Sequence, residues 1–309
     1  MRAGLLAALL SAAAPLAVAQ EVRIPGPEGP LSGFVQAAPG ARHVLVIVPG
    51  SGPTDRDGNG PLLRSDSYRL LAEGLAGAGI ASLRIDKRGM FGSHAAIGDA
   101  NAVTLADYAA DARAWVAEAR AVAPCVWLAG HSEGGLVSLL AAQPAPEGLC
   151  GVILLAAPGR RVGQLMLEQA ASNPAAFLFM REMREIVAAL EAGETRDPAM
   201  ISPFLAPLFP AAVQPFLIDV FRHDPAVLAA GWTGPALIVQ GERDIQVTGR
   251  DAAILAGAMP QARRVDLPGA GHMFKPDQPG NPMAGYVDPG LALDPGLVPA
   301  IRDFLTAQE

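Results

Sequence analysis

The sequence predicts an α/β protein with a mostly parallel, twisted sheet of about eight strands and helices on both faces. Short apolar runs recur along the chain, the clearest at His43–Val48, and segments with helical periodicity lie between them. Strands that alternate with helices form parallel sheets covered on both faces. The chain of 309 residues is 51% hydrophobic and 17% charged, which allows a sizeable core and excludes a disordered protein.

The predicted strands start with two weak candidates, around Val22 and at residues 33–36. The later ones are continuous apolar runs rather than alternating ones, which indicates burial on both faces of the sheet. These runs occupy residues 43–48, 80–85, 126–129, 152–156, 236–240 and 264–267.

The clearest predicted helix covers residues 104–122. Leu105, Tyr108, Ala112 and Trp115 recur there at spacings of three and four, behind a capping pattern that starts at Thr104. Residues 134–142 and 250–259 are predicted as helices too, and residues 276–299, rich in proline and glycine, as a long loop before the last helix.

A segment without strand patterns interrupts this alternation. It contains two amphipathic helix patterns, at residues 163–171 and 175–192, and six of the ten phenylalanines. We interpret residues 160–232 as a helical cap inserted over the sheet, because long insertions in compact domains are usually functional. The alternative is that this segment is ordinary helical packing with no role above the active site. The side chains expected to line a substrate pocket in the cap are Phe177, Met180, Phe209 and Phe216.

Residues 1–19 have the pattern of a signal peptide. Arg2 is followed by an apolar stretch, and Ala17-Val18-Ala19 forms a small-x-small cleavage site. Because the apolar stretch is short and contains Pro15, a membrane anchor is disfavoured. We therefore predict export to the periplasm or the medium, a mature domain of residues 20–309 and no stable membrane span.

The net charge of the chain indicates which classes of partner it is expected to bind. Thirty acidic against 23 basic residues give a net charge of −7, and no long basic run is present. Nucleic acid is therefore a poor partner. The sequence does not indicate an oligomeric state.

The segment Gly130-His131-Ser132-Glu133-Gly134 lies between a predicted strand and a predicted helix. This G-x-S-x-G pattern is typical of a nucleophile elbow, where a serine occupies a strained strand-to-helix turn. The flanking glycines are needed because the backbones pass too closely for side chains. The context of strand before and helix after makes Ser132 the candidate nucleophile.

A serine nucleophile needs a general base and a carboxylate that orients it. His272 directly follows the last predicted strand, in a glycine-rich loop, whereas the other four histidines lie elsewhere. Asp244 follows the preceding strand and is the preferred acid. Glu242, two residues earlier, is the alternative.

Backbone N–H groups that stabilise an oxyanion are expected at two places. One is Glu133, directly after the candidate nucleophile. The other is Ser51, in the turn Pro49-Gly50-Ser51-Gly52-Pro53 that follows a buried strand, with Gly52 as the alternative donor.

Together these motifs resemble the α/β-hydrolase superfamily, nearest its serine esterase, lysophospholipase-like and serine aminopeptidase-like branch. The similarity covers the predicted mature chain and depends on residues 130–134, Asp244, His272, residues 49–60 and residues 86–89. It implies that Ser132 attacks, His272 acts as base and then as acid, and Asp244 orients the imidazole. Two departures are Pro49-Gly50, where many relatives have His-Gly, and the acidic loop that follows.

That acidic loop partly matches a calcium-binding pattern, with Asp55, Asp57 and Asn59 at alternate positions and Asp66 at the twelfth. An EF-hand loop follows a helix, whereas this one follows a predicted strand. We therefore predict no metal site and no cofactor.

Cys125 and Cys150 each precede a predicted strand, and the two strands are expected to be parallel neighbours. Both thiols then lie at the non-catalytic end of the sheet. In an exported protein this favours a disulfide, with two buried free thiols as the alternative.

The leading functional hypothesis is a serine hydrolase that cleaves carboxylic esters with an apolar acyl or alkyl part through an acyl-enzyme. A thioesterase or an aminopeptidase would use the same residues, because all three reactions pass through a tetrahedral oxyanion. The hypothesis from a different class is a non-catalytic binding protein. It is disfavoured because no member of the Ser132, Asp244 and His272 set is missing.

Overall fold

The computed structural model describes residues 19–309. The predicted signal peptide, residues 1–19, lies outside the described residues apart from Ala19, with which the first strand begins. Within residues 19–309, none of the helices has the length and apolarity that a membrane crossing requires.

The predicted mostly parallel sheet is confirmed, with eight strands in the order β1-β2-β6-β3-β7-β8-β9-β10. The second strand pairs antiparallel with both neighbours, and the six strands from β6 to β10 in that order pair parallel. A small hairpin of β4 and β5 lies apart from the sheet. The strands, in chain order, are β1 (Ala19–Ile24), β2 (Leu31–Gln36), β3 (His43–Val48), β4 (Asn59–Gly60), β5 (Leu63–Arg64), β6 (Ala81–Ile85), β7 (Cys125–His131), β8 (Leu149–Leu155), β9 (Ala236–Gly241) and β10 (Arg263–Leu267).

Helices follow most of the parallel strands. The capping box predicted at Thr104 is present, because its hydroxyl accepts from the Asp107 N–H while the Asp107 carboxylate accepts from the Thr104 N–H. The α-helices are α1 (Ser67–Gly77), α2 (Leu105–Ala119), α3 (Glu133–Ala141), α4 (Val162–Ala171), α5 (Met180–Glu191), α6 (Gln214–Arg222), α7 (Pro225–Gly231), α8 (Gly249–Ala258), α9 (Ala284–Val287) and α10 (Leu297–Thr306).

The sheet separates two apolar cores, because successive side chains of a strand point to opposite faces. Val44 and Val46 of β3 pack in one core together with helices α2 and α3. Leu45 and Ile47 pack in the other core with helices α1 and α10. All six residues of β3 are buried, as expected for a strand covered by helices on both faces.

The segment without strands is a helical insertion between β8 and β9, comprising α4 to α7. The predicted helix at residues 175–192 is divided here. Its first part is a 3-10 turn, Pro174–Phe179, which Asn173 caps by accepting a hydrogen bond from the Ala175 N–H, and α5 follows it.

The carboxylates of the acidic loop contact the protein itself. Asp57 pairs with Arg84, and Asp66 lies 2.7 Å from the Arg69 guanidinium. One Asp55 oxygen accepts two backbone N–H groups at 2.8 Å. These contacts hold the loop against the sheet and α1.

Cys125 and Cys150 are joined by a disulfide. The bond links the amino ends of neighbouring strands β7 and β8. It therefore lies at the end of the sheet opposite to the loop that contains Ser132.

Replacing both cysteines by alanine should lower the free energy of unfolding by about 3 kcal/mol, because the bond restricts the unfolded chain. Its two residues are 25 positions apart, a loop of ordinary size for this effect. Urea unfolding of the native protein and of the C125A/C150A variant measures the difference. Superimposable unfolding curves would contradict a stabilising bond.

Candidate active site

Ser132 lies between strand β7 and helix α3 in a strained conformation. Its φ of 52° and ψ of −125° are unfavourable for a residue with a side chain. The backbone is held there by a hydrogen bond of 2.9 Å from the Ser132 N–H to the Leu155 carbonyl of the neighbouring strand. The turn thus projects the hydroxyl from the carboxyl edge of the sheet, as the sequence motif predicts.

The glycines of the elbow are required by close backbone approach. A Cβ on Gly130 would collide with the Gly134 carbonyl oxygen, and a Cβ on Gly134 would collide with the carbonyl oxygen of Val48 on β3. Strand β7, helix α3 and strand β3 therefore approach one another more closely than alanine at these positions would permit.

His272 and Asp244 form a buried pair. The imidazole Nδ1 lies 2.7 Å from Asp244 Oδ2, and the other carboxylate oxygen accepts the N–H groups of Gln246 and Val247 at 2.8 and 2.9 Å. The carboxylate is thereby held in one orientation and can keep the imidazole N–H on Nδ1. The alternative acid, Glu242, is exposed to solvent and makes no hydrogen bond with His272.

His131 connects the elbow with two other loops. Its Nε2 lies 2.9 Å from the His272 carbonyl oxygen, and its Nδ1 lies 2.7 Å from the Tyr68 hydroxyl. The same hydroxyl accepts the Gly50 N–H at 3.1 Å. Because a carbonyl only accepts, Nε2 carries the proton and the tyrosine O–H donates to Nδ1. We call this chain, Gly50 to Tyr68 to His131 to His272, the His131 relay.

Burial keeps His131 neutral. Desolvation, and to a smaller extent the neighbouring His272 ring, lower the pKa of His131 to about 3. A protonated ring would have no lone pair for the Tyr68 hydroxyl. The His131 relay therefore persists through the neutral pH range.

The loop after β3 lies against the elbow, where the sequence predicts an oxyanion site. A Cβ on Gly50 would lie 3.3 Å from the Ser132 Cβ. Within residues 19–309, the backbone N–H groups of Ser51 and Glu133 donate no hydrogen bond to the protein. Both N–H groups therefore remain candidates for the predicted oxyanion site.

Two cavities meet at Ser132. The larger, of about 500 Å³, extends beneath the helical insertion, and its apolar lining includes Val103, Leu165, Met166, Phe216, Leu217 and Val220. The smaller, of about 320 Å³, is lined by His272, His131, Leu63, Met273, Met283 and Tyr286. Ser51 and Gln246 also border both cavities. Gly52, the alternative oxyanion donor, borders only the larger one.

Of the predicted pocket residues, only Phe216 lines a cavity at Ser132. Phe177 is 79% exposed, since it lies on the outer side of its 3-10 turn. Met180 and Phe209 are buried but do not line either cavity at Ser132, and Phe209 belongs to the apolar core that also contains Val44 and Val46 of β3. The structure does not bring these three to the cavities at Ser132, because residue type does not reveal which side of a helix faces a cavity.

Three residues of the site were not predicted from the sequence. Tyr68 belongs to the His131 relay, Gln246 borders both cavities, and Lys87, whose side chain is buried, lines the larger cavity. A signal for Lys87 existed: it is one of only two lysines in a chain whose other basic residues are all arginine.

The comparisons with known proteins agree with this architecture. The family described as "Serine aminopeptidase, S33" matches residues 60–204, which include Ser132 but end before Asp244. Est1E of Butyrivibrio proteoclasticus superimposes with a TM-score of 0.59 at 18% identity, covering 93% of this chain and 98% of that one. The chain has the α/β-hydrolase fold.

Two further proteins, both named esterases, are similar to this chain. An esterase of Pyrococcus furiosus has a TM-score of 0.58 at 17% identity, with 94% of this chain and 91% of that chain covered. Esterase EstD of Thermotoga maritima is 28% identical over 223 residues, which are 68% of this chain and 48% of that protein. The matched region thus spans about half the length of this curated relative.

The neutral His131 should make the protein less stable in acid. Because its folded pKa of about 3 lies below the ordinary 6.5, the unfolded state takes up more protons as the pH falls below 6.5. Between pH 7 and pH 5 the wild type should lose about 2 kcal/mol of unfolding free energy more than a His131→Asn variant. Urea unfolding at both pH values measures this difference, and parallel losses in the two proteins would refute it.

Proposed function

We propose that this protein of α/β-hydrolase fold is a serine hydrolase that cleaves carboxylic esters with an apolar acyl or alkyl part. The observation that carries the proposal is the buried His272–Asp244 pair, at 2.7 Å, whose histidine borders the same cavity as the strained Ser132. Similarity to proteins named esterases supports the reaction class.

In this proposal His272 Nε2 removes the proton of the Ser132 hydroxyl as the oxygen attacks the ester carbonyl. The tetrahedral oxyanion binds the N–H groups of Ser51 and Glu133. The imidazolium, oriented by Asp244, then protonates the leaving alcohol. Water, activated by the same imidazole, hydrolyses the acyl-enzyme to the carboxylic acid and free Ser132.

The two cavities are proposed to hold the two halves of the ester. The leaving oxygen has to lie near His272, which borders the smaller cavity and not the larger one. The alcohol half is therefore assigned to the smaller cavity and the acyl half to the larger. The mainly apolar lining of the larger cavity favours an apolar acyl chain, because buried apolar area supplies most of the binding energy there.

Active-site labelling and a substrate screen test the proposal. A fluorophosphonate probe should label the wild type and not Ser132→Ala. Nitrophenyl esters should be hydrolysed faster than acyl thioesters or aminoacyl anilides. If the wild-type protein is not labelled and hydrolyses none of the three substrate classes, the proposal is wrong and the hypothesis of a non-catalytic binding protein is favoured.

Removing the orienting carboxylate should reduce turnover strongly. Asp244→Asn is expected to lower kcat on a nitrophenyl ester by about 10⁴-fold, because an amide favours the wrong imidazole tautomer. The matched control is Glu242→Gln, a nearby exposed carboxylate that should keep wild-type activity. Similar losses in the two variants would exclude Asp244 as the specific partner of His272.

Two bulky substitutions, one in each cavity, should show which half of the ester each cavity binds. Leu217→Trp fills part of the larger cavity and should reduce kcat/KM for nitrophenyl octanoate at least tenfold more than for the acetate. Met283→Trp narrows the smaller cavity and should discriminate against bulky alcohols with a common acetyl group. The opposite pattern would reverse the assignment of the cavities.

A further inference from the structure

Lys87 is a buried cation at the carboxyl edge of the sheet whose role the proposed mechanism leaves open. Strand β6 pairs parallel with β3, with Ile47 beside Arg84. The loops that follow the two strands are therefore neighbours. Lys87 lies two residues beyond β6, and its side chain is only 4% exposed.

The ammonium group of Lys87 binds the loop that carries Ser51. Its Nζ donates a hydrogen bond of 2.6 Å to the Gly50 carbonyl oxygen. That oxygen and the Ser51 N–H belong to one planar peptide unit, and in a trans peptide the two groups point in opposite directions. Binding of the oxygen by Lys87 therefore points the Ser51 N–H away from the lysine, within the plane of the peptide.

The preceding peptide unit is held as well. The Gly50 N–H donates to the Tyr68 hydroxyl at 3.1 Å, within the His131 relay. With both groups of Gly50 bound, the orientation of the Gly50–Ser51 peptide is determined by Lys87 and Tyr68. Within residues 19–309 no hydrogen bond from the protein competes for the Ser51 N–H.

The hydrogen bond from Lys87 to the Gly50 carbonyl also makes the Ser51 N–H a stronger hydrogen-bond donor. A charged group that donates to a peptide carbonyl polarises the peptide, and hydrogen bonds linked in this way reinforce one another. The Ser51 N–H is therefore a better donor to a developing negative charge than a peptide whose carbonyl faces solvent.

The second contact of Lys87 concerns the other proposed donor, Glu133. Its carboxylate Oε1 lies 3.8 Å from the Lys87 Nζ, is buried, and has no hydrogen-bond partner in the described part of the chain. A carboxylate on the residue that donates to an oxyanion opposes the developing charge. The Lys87 cation offsets this repulsion.

We propose that Lys87 is a positioning residue for the oxyanion site, which orients the Gly50–Ser51 peptide and neutralises the Glu133 carboxylate. The inference rests on the proposed serine hydrolase function. It assigns the lysine to transition-state stabilisation through Ser51 rather than to substrate binding.

The test compares wild type, Glu133→Gln, Lys87→Met and the double variant K87M/E133Q. Lys87→Met alone leaves a buried carboxylate without its cation and is expected to lose stability. The double variant removes both charges, so its comparison with Glu133→Gln measures the loss of Lys87 without leaving an unpaired buried carboxylate. Thermal unfolding checks that each protein is folded, and fluorophosphonate labelling of the wild type checks the proposed function independently.

The double variant should show a kcat about 10- to 100-fold below that of Glu133→Gln, because a misplaced donor weakens transition-state binding. KM for a nitrophenyl ester should change less than about threefold, since the interaction is made in the transition state. An alkyl trifluoromethyl ketone, which forms a tetrahedral adduct with serine hydrolases, should bind the double variant more weakly by a factor similar to the loss in kcat.

The experiment distinguishes a failure of the Lys87 inference from a failure of the proposed hydrolase function. If the double variant has a kcat within about threefold of Glu133→Gln, or if only KM changes, Lys87 is not a positioning residue and the inference is overturned while the hydrolase function stands. If the wild type is not labelled and hydrolyses none of the esters, the proposed function fails and the inference fails with it.

Discussion

The two hydrogen bonds of the His131 ring hold together the loops on which the site depends. The ring belongs to the elbow, one nitrogen contacts the His272 loop, and the other contacts Tyr68, which in turn binds the loop after β3 at Gly50. These segments are far apart along the chain. The geometry exists only while the ring is neutral, and burial ensures this by lowering the pKa of His131 to about 3.

A second constraint acts on the backbone. Ser132 keeps an unfavourable φ because Gly130 and Gly134 let β3, β7 and α3 approach closely, and the sheet holds the turn by hydrogen bonding. The result is a site whose donors are oriented before any ligand arrives. Such preorganisation accounts for much of the rate enhancement of enzymes that stabilise an oxyanion, because donors already in place need no reorganisation during the reaction.

The fold and the catalytic candidates could be predicted because their signals are local. A buried strand, an elbow motif and the order of Asp244 and His272 after successive strands are all readable from neighbouring residues. The structure joins these two side chains by a hydrogen bond, and their catalytic roles remain a prediction. The cavity lining was mostly missed, since whether Phe177 or Phe209 faces a cavity depends on how the inserted helices pack. Lys87 was missed because its partners, the Gly50 carbonyl and Glu133, come close only through the register of β6 on β3 and of β3 on β7.

The helical insertion leaves the sheet complete. Strands β8 and β9, which flank it in the chain, are hydrogen-bonded neighbours, with Val152 beside Ala236 and Leu155 beside Val239. Lengthening, shortening or replacing α4 to α7 therefore requires no strand to change partner. In evolution, and equally in protein engineering, the part of the larger cavity's wall that the insertion supplies can be exchanged as a unit while the residues at the sheet edge stay in register.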